Sequence, residues 1–378
     1  MPNEGAEGSC VSLRGPVCRS ASPARARAAA RALLALSAAL ILASTAASAR
    51  GGREVVDGVS WSHFQEERWK IDEASLVAGL RERGARYLSA DAQSSSEKQL
   101  ADIENLITRG VDVLVVVAHD PSALGSALAS ARAARIPVIA YDRLIEAPDV
   151  LYLSFDNRRV GRIQAEQILA VAPSGRFAFI KGSPQDPNTE FVHAGQLDVL
   201  RPAIEAGRVE VVGDQYVDGW LPDVAQRVME QILTRSGGRI DAVVCSNDGM
   251  AGGVAAALAA AGLSGVPVSG QDGDQAALNR IALGRQTVSV WKDSRALGRA
   301  AAEVSAALAG GTAPAQIAGA VPFTTPAGVR VSALLLEPVA ITRANLDRVI
   351  DAGWATRASV CRGVDAGPQA PPACRAPK

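Results

Sequence analysis

Short apolar runs rich in β-branched residues alternate with longer segments of helical periodicity along most of this sequence. The run at 111–118, VDVLVVVA, is apolar apart from Asp112, as is typical of a strand buried on both faces of a parallel sheet. The helical segment at 66–83 is followed by Gly84, which favours a helix stop. About ten such strand–helix repeats precede residue 310, and they predict an α/β fold of doubly wound, Rossmann-like parallel sheets.

The number of repeats predicts two lobes of roughly five or six strands each rather than one open sheet. Residues 143–157 interrupt the alternation with two short extended pieces, which indicates a crossing between lobes. The prediction therefore assigns 50–156 with 293–320 to an N-terminal lobe, and 157–292 with 321–360 to a C-terminal lobe. Several strands passing between the lobes would form the hinge.

The N-terminal segment differs from the rest in kind. Arginines precede the apolar stretch ALLALSAALILA at 32–43, and the small-residue site Ala47-Ser48-Ala49 follows. A basic region, a short apolar region and a small-residue cleavage site together predict a secretory signal peptide over 1–49 and a periplasmic protein. An uncleaved membrane anchor is the alternative, although about 12 apolar residues are short for a ~30 Å hydrocarbon layer.

Composition and charge argue against several functions, although a local basic patch is still compatible with a net charge of zero. Lys and Arg total 39, as do Asp and Glu, so the net charge gives no electrostatic footprint for nucleic acid. His63, His119 and His193 lie far apart and no C-x-x-C occurs, so no metal site is predicted. The Pro-, Ala- and Gly-rich tail at 361–378 is expected to be disordered, and whether its two cysteines pair is left open.

Polar and aromatic residues collect where the predicted strands end, and in open α/β sheets ligands bind at those ends. These residues are Trp61, Phe64, Arg68, Asp142, Arg143, Asp186, Asn188, Asp218, Trp220, Asn247, Asp248, Gln271, Asp272 and Lys292. Carboxylates and cations match the hydroxyls of a sugar, and an indole matches its apolar ring face. Each Asp alone could equally be a helix cap; the recurrence at many strand ends carries the prediction.

Signatures of other chemistry are missing from the sequence. The glycines at 249, 252 and 253 do not fit a dinucleotide-binding loop, and neither a phosphate-binding loop nor a nucleophile elbow is found. No catalytic residue and no cofactor is therefore predicted. A doubly wound sugar isomerase or dehydrogenase is disfavoured for that reason. A sugar-responsive transcriptional regulator would need a helix-turn-helix before residue 55, where the leader lies.

At these residues the chain resembles the periplasmic sugar-binding proteins of ABC importers, which have the type I fold, and within them the D-xylose binders. The resemblance runs from about 55 to 355 and rests on long segments such as QLADIENLITRGVDVLVV, KGSPQDPN, VVGDQYVDGWLP, SGQDGD and RIALGRQTVSVWK. It implies a monomer that binds a monosaccharide, closes about a hinge and serves an ABC permease with its ATPase subunit. Another pentose or hexose, and a chemoreceptor as a further partner, remain open.

Carried over motif by motif, the resemblance also implies which side chains hold the sugar. They are Arg68, Asp142, Arg143, Asn188, Trp220, Asn247, Asp272 and Lys292. Arg68 and Asp142-Arg143 would come from the first lobe, Lys292 would lie at the last crossing, and the others would come from the second lobe. Phe64 is expected to stack on the sugar, and Asp274 is expected to cap the helix that follows it.

Overall fold

The computed structural model describes residues 53–375, so the predicted signal peptide lies outside the described residues. Its strands are β1 (Val56–Trp61), β2 (Arg86–Asp91), β3 (Val113–Val116), β4 (Val138–Tyr141), β5 (Val150–Phe155), β6 (Gly175–Lys181), β7 (Val209–Tyr216), β8 (Ala242–Cys245), β9 (Ser269–Gln271), β10 (Val288–Trp291), β11 (Val321–Thr324), β12 (Arg330–Leu336) and β13 (Val339–Thr342). Its helices are α1 (Glu67–Glu82), α2 (Ser96–Thr108), α3 (Gly125–Ala133), α4 (Asn157–Val171), α5 (Pro187–Glu205), α6 (Pro222–Arg235), α7 (Asp248–Ala260), α8 (Gln275–Ala282), α9 (Ser294–Ala309), α10 (Asp347–Asp351) and α11 (Arg357–Val360). The predicted α/β class is confirmed.

The first sheet has the strand order β11-β12-β5-β4-β3-β1-β2. All neighbours run parallel except β11, which forms an antiparallel hairpin with β12. Strands β1, β3, β4 and β5 are buried along their whole length because apolar clusters cover both faces. Each fully buried Val, Leu or Ile of these strands contributes about 1.5–3 kcal/mol relative to an exposed side chain.

Two three-stranded sheets, β7-β6-β8 and β13-β10-β9, lie side by side with β8 next to β9, and together they are called the second sheet here. A bridge joins Val243 to Val268, and the Ser269 hydroxyl accepts from the backbone N–H of Cys245 and donates to its carbonyl, each at 2.9 Å. A side chain thus replaces the ladder where β9 begins. Helices α4 and α5 pack so closely that a Cβ on Gly161 would lie 1.9 Å from the Val192 carbonyl oxygen.

The chain passes between the two sheets three times, at 155–157, 291–294 and 336–339. The predicted lobe boundaries need one correction. Residues 321–336, expected in the second lobe, form β11 and β12 of the first sheet, where Ala333 is buried in the first-sheet core. Parallel pairing of β12 with β5 joins residues far apart in sequence, and local periodicity carries no signal of it.

The tail, predicted to be disordered, is folded through residue 375. Cys361 and Cys374 form a disulfide, and the Asn279 side chain of α8 donates to the carbonyls of Val360 and Arg362 at 2.9 and 2.8 Å. The cross-link limits the freedom of the unfolded tail, which offsets its lack of a large apolar face. No helix within residues 53–375 is long and apolar enough to span a membrane.

Candidate ligand-binding site

The eight side chains that the resemblance implies hold the sugar gather at one place between the two sheets, at the carboxyl ends of their strands. A small cavity of about 20 Å³ is lined by Glu66, Arg68, Trp69, Asp142, Arg143, Asp186, Asn188, Trp220, Asn247, Gln271 and Asp272. Lys292, directly after β10, places its Nζ 3.3 Å from Asp272 Oδ1. The site is therefore built from both sheets.

Arg68 projects from the first turn of α1 and is almost fully buried. Its Nε lies 3.1 Å from Asp72 Oδ2, one helical turn further on, and the Tyr141 hydroxyl donates to the other oxygen of Asp72. The guanidinium stacks on the Trp69 ring, 4.4 Å from the ring centroid. These contacts fix its direction, so its remaining N–H groups point toward the cavity side of the helix.

Asp142 follows β4 and takes a left-handed backbone conformation, with φ of 63°. Its carboxylate lies 2.9 Å from Arg68 Nη2 and accepts from Asn188 Nδ2 at 2.9 Å. Burial alone would raise the pKa of Asp142, but Arg68, Lys292 and Arg143 outweigh it and hold the pKa below its ordinary value. Asp142 is thus a charged acceptor at neutral pH.

Arg143 links the two sheets at the edge of the cavity. Its Nη1 donates to the Ser62 hydroxyl at 3.1 Å and to the Ala118 carbonyl at 2.9 Å, both on the first sheet's side. Its Nε lies 2.8 Å from Asp186 Oδ2, which precedes α5 on the second sheet's side. A buried ion pair of this kind contributes mainly through position, because desolvation offsets much of the attraction.

Helix N-termini place the second sheet's amides. Asp186 caps α5 by accepting from the backbone N–H of Asn188 at 2.9 Å, which sets the Asn188 side chain in the first turn. Asn247 caps α7, accepting from Met250 N at 2.9 Å. Because a cap must lie at the helix end, both amides are fixed at the carboxyl ends of the strands that precede them.

Trp220 and Asp272 also lie on the second sheet's side of the cavity. Both have a positive φ, 59° for Trp220 and 99° for Asp272. Gly182 lies beneath the indole, where an added Cβ would come within 2.1 Å of the Trp220 ring. Positive φ is costly for residues with a side chain, and such conformations persist where the surroundings over-determine them. The indole is held flat against backbone that only glycine permits.

Several buried polar atoms that line the cavity have no hydrogen-bond partner among the described residues. They are Trp220 Nε1, Gln271 Oε1, Asp142 Oδ2 and Asp272 Oδ1. Asp142 Oδ2 and Asp272 Oδ1 do lie at ion-pair distances from cations, 2.9 Å from Arg68 Nη2 and 3.3 Å from Lys292 Nζ. An unmatched buried polar group costs roughly 1–3 kcal/mol. Donors and acceptors left open together suit a ligand that offers both, as a polyhydroxylated ring does.

A larger chamber of about 400 Å³ adjoins the small cavity and shares Arg143, Asp186 and Trp220 with it. Loops from both sheets line this chamber, including His63 and His119. Burial lowers the pKa of His63 to about 3, with the nearby charge of Arg143 adding to the effect. The charged pairs from both sheets converge on the small cavity, so we take the larger chamber as its mouth.

Phe64 is the predicted site residue that the structure places elsewhere. Its ring packs on Trp61, with centroids 5.3 Å apart, in the core beneath the first sheet. On the first sheet's side of the cavity the aromatic residue is Trp69 instead. The set of side chains implied by the resemblance omits four cavity residues, namely Glu66, Trp69, Asp186 and Gln271. Asp186 and Gln271 do belong to the wider set of residues that follow predicted strands. The sequence marks Trp69 only by its position next to Arg68.

The described residues contain no group of three His, Cys, Asp or Glu side chains placed to hold a metal ion. The arrangement is one of fixed hydrogen-bonding groups around a buried space between two layers. Such a site can bind a small polar molecule and release it unchanged.

Known proteins provide an independent comparison. The sequence profile of the periplasmic binding protein domain matches residues 58–313. The D-xylose-binding periplasmic protein of Escherichia coli is 40% identical over 326 residues, covering 85% of this chain and 96% of that protein. Its namesake from Haemophilus influenzae is 39% identical over 335 residues, covering 87% and 98%. An ABC transporter solute-binding protein from Clostridium phytofermentans, solved with β-D-glucose, is 31% identical with a TM-score of 0.73, covering 81% and 99%.

Proposed function

The chain belongs to the periplasmic binding protein family, and on that basis we propose that it captures one monosaccharide, D-xylose, between its two sheets for uptake. It is a binding protein and leaves the sugar chemically unchanged. The single observation that carries the proposal is the set of charged side chains from both sheets that meet within ion-pair distance. Arg68 and Asp142 come from the first sheet, and Asp272 comes from the second.

The residue types favour a neutral sugar over an ionic ligand. Arg68, Arg143 and Lys292 are balanced within the site by carboxylates, including Asp142 and Asp272. A ligand with a net charge would leave one sign in excess, whereas hydroxyls accept from the cations and donate to the carboxylates. The Trp220 indole offers the flat apolar surface that the C–H face of a pyranose needs.

The relatives favour a pentose. The two similar proteins described above bind D-xylose, and the solved structure holds glucose, which differs from xylose by a CH₂OH group. A binding site discriminates such sugars through the position of its walls and through any polar group left unmatched. We therefore propose xylose as the sugar, with L-arabinose, D-ribose and D-glucose as the competitors to be measured.

The size of the cavity indicates how a sugar enters the site. A cavity of about 20 Å³ holds roughly one water molecule, so a sugar enters only when the two sides move apart. We propose that each sheet with its helices is one lobe and that the crossings at 155–157, 291–294 and 336–339 are the hinge. Sugar hydroxyls then replace the contacts that Arg68, Asp142 and Asp272 make with one another. The bound sugar stabilises the closed state because it contacts both lobes there and only one lobe in the open state.

Export and delivery complete the proposal. Residues 1–49 act as a signal peptide that sends the protein to the periplasm. The closed, loaded protein docks on an ABC-type permease, whose ATPase subunit drives import, and a chemoreceptor can recognise the same closed form. The relatives' periplasmic location supports this placement.

Isothermal titration calorimetry of the purified protein with D-xylose and the three competitors tests the proposal. We expect saturable binding at one site per chain, tightest for D-xylose. Tighter binding of another sugar would reassign the ligand but keep the function. A folded protein that binds none of the four would contradict the function itself.

A further inference from the structure

The segment 271–274, here called the binding loop, contains Asp272. Its backbone is hydrogen-bonded to the side chain of Asp248. One oxygen of the Asp248 carboxylate accepts from the backbone N–H groups of Gly273 and Asp274, each at 3.0 Å. The same oxygen accepts from the Ser289 hydroxyl at 2.5 Å. Two consecutive N–H groups that converge on one anion fix the loop's curvature, as in backbone anion-binding nests.

The other carboxylate oxygen of Asp248 is also engaged, accepting from Gln286 Nε2 at 2.8 Å. The whole group is buried, and burial raises the pKa of Asp248 to about 7, with the charge of Asp272 adding to the rise. Arg280 is the nearby cation; its Nη2 donates to the Asp248 backbone carbonyl at 2.7 Å. Burying a carboxylate is costly unless its oxygens are hydrogen-bonded, and here both oxygens of Asp248 are.

Trp354 holds the binding loop from the other side. Its indole Nε1 donates to the Gly273 carbonyl at 2.6 Å, and its ring packs on Trp291 with centroids 5.8 Å apart. Gly273 has φ of 77°, and an added Cβ would lie 2.6 Å from the Trp291 ring. One peptide group is therefore fixed at both ends, its N–H by Asp248 and its carbonyl by Trp354.

Asp272 lies directly before the residues that Asp248 and Trp354 clamp. Asp272 has φ of 99°, a conformation that a residue with a side chain adopts only when its neighbours impose it. Its own N–H is held by the Val290 carbonyl at 2.9 Å. With the next residue, Gly273, fixed on both sides, rotation of the Asp272 backbone toward a relaxed conformation is blocked.

We propose that Asp248 and Trp354 are positioning residues that raise sugar affinity by holding Asp272 in its strained, cavity-facing conformation. The inference rests on the proposed function, since it assigns a role toward the sugar that Asp272 binds. Neither residue lines the cavity. Asp274, expected from the sequence to cap α8, makes no side-chain cap hydrogen bond; its N–H instead belongs to the clamp.

The test is a double-mutant cycle with D-xylose as the probe. Trp354→Phe removes one hydrogen bond and keeps a large ring, and Asp248→Asn keeps the shape but replaces one acceptor oxygen by a donor. Each is made in the natural chain and in Asp272→Asn. We expect each single change to weaken binding about tenfold in the natural chain, and to have no further effect once Asp272 is replaced.

A general destabilisation would act differently. It would weaken binding by the same factor in both backgrounds, and that result would overturn the proposal, as would unchanged affinity in both single variants. Asp57→Asn is the matched control because Asp57 is also a fully buried acid with a raised pKa, about 6, but lies in β1 of the first sheet. We expect this variant to keep its affinity.

Hydrogen exchange separates this inference from the proposed function. In the absence of sugar, the amides of Gly273 and Asp274 should exchange at least tenfold faster in Asp248→Asn, while the amides of the first sheet do not change. Unchanged protection would refute the clamp even if the protein binds xylose. A protein that binds no monosaccharide but shows the faster exchange would refute the function and leave the clamp standing.

Discussion

Replacing Asp272 by Asn removes one charge from the middle of the site and changes little else. The side chain is buried, and its Oδ1 lies 3.3 Å from Lys292 Nζ and 3.6 Å from Arg68 Nη1. Oδ1 has no hydrogen-bond partner among the described residues, so it is open to a sugar hydroxyl. Asn has nearly the same shape, so the cavity walls stay in place.

The magnitude follows from the contacts that change. A hydrogen bond to a charged acceptor contributes about 1.5–3 kcal/mol, and a carboxylate can accept from two sugar hydroxyls where the amide offers one oxygen. A loss of about 3 kcal/mol corresponds to more than a hundredfold weaker binding. The two cations would remain balanced in part by Asp142, 2.9 Å from Arg68, so the fold should hold.

Titration calorimetry at pH 7 measures the change directly, with the melting temperature recorded for each protein. Asp223→Asn is the matched control: Asp223 lies on α6 of the second sheet, its side chain is 66% exposed, and it forms an ion pair with Arg227 one turn on. We expect its affinity to equal that of the natural chain. Natural affinity in a folded Asp272→Asn protein would refute the assignment of Asp272 to the sugar site.

Two further changes probe the walls and the mouth. Gly182→Ala should displace the Trp220 indole, because the added Cβ would lie 2.1 Å from the ring. We expect at least tenfold weaker xylose binding and an altered tryptophan emission. Unchanged emission would contradict this position of the Trp220 ring. His63→Gln should reduce the acid sensitivity of folding. The native pKa of His63, about 3, lies below that of the unfolded chain, so its contribution to stability is lost as pH falls below about 6.5. Between pH 7 and 5, urea unfolding should show roughly 1–2 kcal/mol less loss in the variant; equal losses would contradict the shift.

The sequence was informative where local pattern decides structure. The buried runs became strands, and the residues after them met at one cavity because parallel strands end at a common edge. The helix caps Asp186 and Asn247 show how a residue can serve both the local fold and the site: each ends a loop and helps place a side chain at the cavity. Because one residue can have both roles, the sequence alone does not distinguish a helix cap from a ligand-binding residue.

The remainder depended on contacts between distant segments. Pairing of β12 with β5 follows from burial on both faces of the first sheet and leaves no periodic signature of its partner. The tail folds through the Cys361–Cys374 disulfide and the carbonyls held by Asn279, which outweigh an unfavourable composition. Phe64 and Trp69 are both aromatic residues near the end of β1, and only the orientation of α1 decides which one reaches the cavity.

The role of Asp248 shows the same limit at the site itself. Next to Asn247 at the start of α7, it has the appearance of an ordinary helix-start acid. Its function depends on the approach of residues 273, 274 and 289 from two other segments. No spacing within α7 carries that information.

A crystal structure of the protein grown with D-xylose is the most direct test of the claim that both halves of the molecule hold one sugar. We predict a single xylose within hydrogen-bond distance of Arg68 and Asp142 from one side and of Asn188 and Asp272 from the other, with Trp220 flat against the ring. Xylose bound to one half only, or outside the space these side chains enclose, would contradict it.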